Sequence, residues 1–178
     1  MMSKCCIKKQ TSVSLCIALM SIFSQIIIPL PFCVIPITLQ TFAVILIGII
    51  LEERLASIVM SLYILLGCMG IPVFSGFSGG LHRIVGPTGG FIIGFIIMTF
   101  IIGRASRSSN KVILWIGVYL GLIIDFIVGA FQLSLVTHIS FREAIVLGVY
   151  PFVAKDFILA AVAIRLASQI KVVLRKAI

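Results

Sequence analysis

From Val112 to Phe131 the chain runs for twenty residues with one ionisable side chain, Asp125. A stretch of that length and composition matches the hydrocarbon thickness of a bilayer. Five further apolar runs have the same character: about Val13 to Ile28, Ile37 to Leu51, Leu55 to Met69, Pro87 to Ile102 and Pro151 to Ile170. Several are short, and short runs hold up where protein buries their ends or the bilayer adapts. Of 178 residues, 61% are apolar and 11% charged, with a mean hydropathy of +1.31. A soluble domain is roughly 45–50% apolar and roughly 25% charged. A globule of this size has no means of hiding so much apolar surface from water. The sequence therefore predicts one all-α integral membrane domain over residues 1–178, with six transmembrane helices and membrane lipid as its solvent. Soluble enzymes, disordered tails and disulfide scaffolds are excluded.

The net charge of +9 comes from 14 Lys and Arg against 5 Asp and Glu. In a soluble protein this balance raises the question of nucleic acid; here its placement along the chain answers differently. With six spans and an inside N-terminus, the inside segments hold Lys4, Lys8, Lys9, Arg54, Arg104, Arg107, Lys111, Arg165, Lys171, Arg175 and Lys176. The outside loops hold Arg83 and Arg142, and Lys155 falls inside the sixth run. Eleven against two is the asymmetry of a membrane protein with both termini in the cytoplasm. The expected location is the cell membrane, with no nucleic acid as partner. The basic N-terminus ahead of an apolar run lacks a small-x-small cleavage site, so we read an uncleaved first span. Cys5, Cys6, Cys16, Cys33 and Cys68 are odd in number and form no CxxC pair. They read as small apolar fillers rather than as ligands or disulfides. No cofactor is called for: there is no Walker motif, no H-E-x-x-H and no ligand-spaced Cys/His cluster.

The outer loops carry structure of their own. Residues 71–90, IPVFSGFSGGLHRIVGPTGG, are too rich in Gly and Pro for a regular helix, so they must be buried by protein or line a cavity. Gly86-Pro87 is a good helix start. Ser140 and Glu143 have capping-box spacing, which predicts a short amphipathic helix from about Phe141 to Leu147, broken by Gly148. Gly117, Gly121, Asp125 and Gly129 form one stripe on the fifth span, and Gly90 with Gly94 another on the fourth. Ser14 and Ala18 form a similar pair on the first. Small residues let a neighbouring backbone approach, through packing within the chain or through docking to another subunit.

Ionisable groups in a membrane face a cavity or a partner. Asp125, Lys155 and Asp156 are such groups. Lys155-Asp156 opens the sixth span near the outer face. The bland reading is an interfacial ion pair; the functional one is a polar ligand anchor, with a carboxylate for N–H donors and a lysine for an anion. Asp125 fits either a hydrogen bond to another helix or a functional role. Thr38 and Gln40 stand at the outer start of the second span. Gly76-Phe77-Ser78-Gly79-Gly80 matches G-x-S-x-G with His138 as a formal base, but the strand–turn–helix context is missing.

Several segments are similar to one known family. They are Pro29-Leu30-Pro31-Phe32, then Val34-Ile35-Pro36-Ile37-Thr38-Leu39-Gln40-Thr41, Leu65-Leu66-Gly67 with Gly70-Ile71-Pro72-Val73-Phe74, and Gly79-Gly80. Gly86-Pro87-Thr88-Gly89-Gly90-Phe91 and Tyr150-Pro151-Phe152 with Asp156 complete the set. Over about residues 10–170 the chain resembles the BioY family, the biotin-specific S components of energy-coupling factor (ECF) transporters. The resemblance implies a six-helix bundle, not an enzyme, that takes biotin from outside. It also implies an ECF transmembrane coupling subunit and two ATPase subunits as partners, with Ser14 and Ala18 on the docking face. Asp156 then accepts the ureido N–H pair, Gln40, Thr38 and Ser78 add polar contacts, and Phe74 and Phe91 pack on the ring. Relatives that carry a lysine three residues after the aspartate differ from this chain, which has Leu159. Ser78 stands where some have asparagine, and Ile92 where some have arginine. The biotin carboxylate is left to Lys155, to the start of the fourth span at Thr88-Gly89-Gly90, or to Arg83. The alternatives are an S component for another vitamin, an intramembrane serine hydrolase using Ser78 and His138, and a subunit with no ligand.

Overall fold

A computed structural model describes residues 2–28 and 36–176. The expected stop at Pro29-Leu30-Pro31, the rest of that segment to Ile35, and Cys33 lie outside the described residues, as do the side chains of Lys4, Cys5, Cys6, Lys8, Arg175 and Lys176.

Each of the six apolar runs coincides with a helix: α1 (Met2–Gln25), α2 (Gln40–Ile50), α3 (Glu53–Cys68), α5 (Gly89–Ala105), α6 (Lys111–Thr137) and α8 (Tyr150–Lys176). Between them lie β1 (Ile27–Ile28), β2 (Ile37–Thr38), α4 (Leu81–Val85) and α7 (Phe141–Gly148). β1 and β2 pair antiparallel, Ile27 opposite Thr38, and tie the ends of α1 and α2 together. The helix α1 starts well before the apolar run that predicts it, because the N-terminal segment is polar but still helix-permissive. Among the described residues α6 is the one helix long and apolar enough to cross a membrane by itself, and α7 with α8, bent by 51°, makes a second such unit. The helices α2 and α5 are shorter apolar helices.

The helix α2 lies at the centre. It is buried from Gln40 to Ile49 and packs on α8, α5, α1 and α3. A helix apolar all round belongs inside. The outer face of α6 is its opposite: Ile116, Leu120, Ile123, Ile127 and Phe131 are all exposed. In water such a stripe is untenable; against lipid tails it is at home.

The glycine stripes resolve in favour of packing within the chain. α5 and α6 form the most extensive helix pair. Gly90 faces the Val128–Gly129 backbone, Gly94 faces Asp125, Gly121 faces Met98 and Gly117 faces Ala105. A Cβ would collide at Gly90, Gly94 and Gly117 and be tight at Gly121, so the α6 stripe is taken up by α5. Asn110 caps α6, its side chain accepting from the Val112 N–H at 2.9 Å.

The 71–90 stretch is irregular except for α4, a single helical turn that the glycine content did not suggest. Phe74 and Ser78 bridge to each other around a tight hairpin, with Gly76 at φ 73° and Phe77 at φ 51°. The exposed Phe77 is a rare non-glycine in the left-handed region; its N–H donates to Gln25 Oε1 at 2.8 Å, which holds it there. Gln132 Nε2 donates to the carbonyls of Ile84 and Gly86, tying α4 to α6. At the other end Arg107 Nε meets Glu53 at 2.7 Å and Lys171 donates to the Ser106 carbonyl at 3.0 Å. These contacts knit the α2–α3 turn, the α5–α6 loop and α8.

Two outcomes follow from this packing. Gly90→Val is expected to lower the melting temperature of the purified protein, by the equivalent of about 1–3 kcal/mol for an overpacked site. The capping box forms as expected, with Ser140 N–H and Oγ both donating to Glu143 Oε2 at 2.9 and 2.8 Å. Those bonds hold the Glu143 carboxyl below its ordinary value of 4.5. A depressed carboxyl stabilises above its unfolded value and loses that contribution as pH falls through the folded one. Hydrogen exchange at the start of α7 should therefore quicken as pH drops below 4.5, beyond the intrinsic rate change, and Glu143→Gln should remove that step.

Candidate ligand-binding site

Two carboxylates are buried in this bundle with only 2% of their surface exposed: Asp125 on α6 and Asp156 on α8. Proline at the second position of α8 costs nothing, since its missing N–H would have no partner there. The helix thus begins at Tyr150-Pro151 and carries Asp156 one and a half turns inward, beside α2.

Successive helical residues point about 100° apart, so Lys155 and Asp156 leave α8 in different directions. The long lysine stem closes the gap. Its Nζ lies 2.8 Å from Asp156 Oδ1 and donates to the Thr38 carbonyl at 2.9 Å. It also stands 5.8 Å from the Phe152 ring centroid, within cation–π range. Thr41 lines the same hollow as Asp156.

From Thr38 a chain of hydrogen bonds runs across the bundle. The Thr38 hydroxyl donates to Gln40 Oε1 at 3.1 Å, and Gln40 Nε2 donates to the Tyr63 hydroxyl at 3.0 Å. Tyr63 donates to the Val73 carbonyl at 2.9 Å, which Ser24 Oγ also reaches at 2.6 Å. Gln25 completes the ring, donating to the Phe74 carbonyl at 3.1 Å. Polar groups from α8, β2, α2, α3 and α1 are thereby satisfied in the interior. The network fixes the hairpin at 74–78 to the helices beneath it.

Beneath this hairpin is a partly open hollow with about 60 Å3 of free space, smaller than the roughly 300–1,000 Å3 of ordinary small-molecule sites. Of the predicted site residues, Thr38, Gln40, Thr88, Phe91, Lys155 and Asp156 all line it. Phe74, Ser78 and Arg83 do not. Phe74 is fully buried, its ring edge-on to Tyr63 at 5.5 Å and lying over Gly67. The Ser78 hydroxyl donates to the Ser75 carbonyl at 2.8 Å. Arg83 sits in the last turn of α4, outside the hollow. Ser14 and Ala18 are exposed on α1.

Sequence reasoning missed Thr41, Ser75, Phe95, Phe126 and Phe152 as wall residues, and left Asp125 without a role. Helical spacing offered a signal for two of them: Phe95 is four residues after Phe91, and Phe152 four before Asp156, so each pair shares a face. Ser75 and Phe126 gave no such sign, because their placement depends on the hairpin and on how α6 packs.

The arrangement is a partly open hollow with four phenylalanines and a paired carboxylate on its wall. A family model described as the BioY family matches residues 1–176. The chain belongs to the BioY family. It is 48% identical over 96 residues to a probable biotin transporter BioY of Pyrococcus horikoshii, a match covering 54% of this chain and 58% of that one. It is 40% identical over 84 residues to a biotin transporter BioY of Thermotoga maritima, covering 47% and 50%. The chain thus spans about half the length of the curated relatives it matches. The fold is similar to the crystal structure of an S-component for biotin from an ECF-type ABC transporter. There the TM-score is 0.88 at 26% identity, over 96% of this chain and 94% of that one. BioY proteins are membrane transporter components rather than enzymes, which sets aside a hydrolase built on Ser78 and His138.

Tyr63→Phe tests the interior network. It keeps the ring packing but leaves Gln40 Nε2 without its acceptor, at a cost of about 1–3 kcal/mol. A lower melting temperature is expected, together with faster hydrogen exchange at Phe74 and Ser78.

Proposed function

We propose that this BioY chain is the membrane subunit that captures biotin from outside and delivers it inward with an ECF coupling subunit and two ATPases. The carrying observation is Asp156: a buried carboxylate on the wall of a hollow whose remaining lining is largely aromatic and small polar. Biotin pairs an apolar bicycle with a urea, and this wall offers rings for the first and an acceptor for the second. Gln40 and Thr38 stand in the same polar line.

The chain sits in the cell membrane with six spans, α1, α2, α3, α5, α6 and α8, and with both termini inside. Basic residues support that orientation, since Arg54, Arg104, Arg107 and Lys111 fall at one end and Arg83 and Arg142 at the other. The hollow then faces outward. Ser14 and Ala18, exposed on α1, present a small-residue face to the coupling subunit.

Ion pairing supports one choice of group for the biotin carboxylate. Lys155 is in contact with Asp156, so both serve the urea end of the ligand. The carboxylate lies a five-carbon tail away. The start of α5 at Thr88 stands about six residues, or roughly 9 Å, up the helix from the level of Gly94 and Asp125. Its positive end suits an anion. Arg83 does not line the hollow, which favours the α5 start over it.

The test is a binding isotherm of the purified chain with labelled biotin, competed by a panel of unlabelled vitamins. Biotin should compete alone. Asp156→Asn should weaken binding about tenfold or more, the worth of a hydrogen bond to a charged group. Lys155→Met should weaken biotin and biotin methyl ester alike. Parent-level affinity in Asp156→Asn, or displacement by a different vitamin, overturns the reading.

A further inference from the structure

Asp125 is the buried group that the proposed site does not yet use. It is 2% exposed, on α6, and lines the same hollow as Asp156. Its Oδ1 has no hydrogen-bond partner among the described residues, and no cation pairs with it there. The opposing residue on α5 is Gly94, and a Cβ at that position would strike the Asp125 carboxyl. The seam between α5 and α6 therefore keeps room for a polar group that the folded chain itself does not satisfy. A buried polar atom left open at a cavity wall is a contact waiting for a ligand.

Charge bookkeeping narrows what that group is. The hollow contains two carboxyls and one lysine, and the lysine is committed to Asp156 and to the Thr38 carbonyl. An isolated anion in an apolar enclosure is far costlier than a neutral acid. Urea geometry supplies the complement. A cyclic urea has one N–H on each flank of its carbonyl, and the two N–H bonds diverge. One carboxylate meets one flank. A carboxylic acid meets the other in a two-point contact: its C=O accepts the N–H and its O–H donates to the urea oxygen.

We propose that Asp125 is a second ligand-binding residue, a neutral carboxylic acid that grips the urea flank opposite Asp156. This rests on the biotin reading above and adds to it the way the two flanks are divided.

The experiment uses the full chain in detergent and three ligands: biotin, and biotin carrying a methyl on one or the other urea nitrogen. Asp125→Asn preserves both a carbonyl and an N–H donor without charge, so biotin affinity should stay within about threefold of the parent, less than one full hydrogen bond. Asp125→Leu keeps the size and loses both contacts, so affinity should fall about tenfold to a hundredfold. One methyl isomer should cost the parent about tenfold but cost Asp125→Leu little more, a coupling that only direct contact produces. The other isomer, blocked at the Asp156 flank, should cost parent and Asp125→Leu the same factor, which shows that the variant's chamber is intact. Parent affinity in Asp125→Leu, equal losses in Asn and Leu variants, or additive penalties for both isomers overturn the role of Asp125 while leaving biotin binding in place. A parent chain that binds no biotin overturns both.

Discussion

A carboxylate persists inside an apolar bundle only where cations and donors surround it, and much of this structure is arranged around that requirement at Asp156. Lys155 reaches round the helix to meet it. The lysine's second contact, to the Thr38 carbonyl, draws in β2 and through it the start of α2. From there Gln40 and Tyr63 carry the polar line to the 74–78 hairpin. Remove the charge and none of these groups has reason to be buried; leave it unpaired and the burial is several kcal/mol uphill. The hollow is thus an outcome of solvating one anion with protein.

The second constraint is backbone proximity. α5 and α6 approach closely enough that their facing glycines leave no space for a Cβ, and α4 is strapped to α6 by Gln132. That seam fixes Asp125 at the wall of the hollow and sets the height of Thr88 above it. A rigid pair of helices on one side and a hydrogen-bonded hairpin on the other give the chamber defined walls. α1 has a place in both halves of the proposed function. Its middle exposes Ser14 and Ala18, and its end grips the hairpin through Ser24 and Gln25.

Much of the architecture was legible because lipid imposes a simple rule on sequence. Apolar runs of near-span length marked six helices, and the S-x-x-E spacing marked α7 almost to the residue. Six of the nine ligand-site residues named from sequence line the hollow, since polar groups at the ends of apolar runs have few other reasons to be there. Phe74 does not line the hollow: an aromatic in a glycine-rich loop reads the same whether it faces a cavity or the core, and here it fills the space above Gly67. Ser78 does not line it either, because the hairpin turns its hydroxyl back on Ser75. α4 went unseen because a single turn has too little periodicity to register.

Composition and run length by themselves determined an all-helical membrane protein with Asp125, Lys155 and Asp156 as its unusual charges. Those properties depend on what each segment is dissolved in, which local sequence controls. Only the tertiary structure decided that Lys155 neutralises its own neighbour, that the α6 glycines are used up against α5, and that Asp125 and Asp156 share one hollow. Each of those depends on distances between segments remote in the chain, and such distances arise from packing, which no single segment encodes.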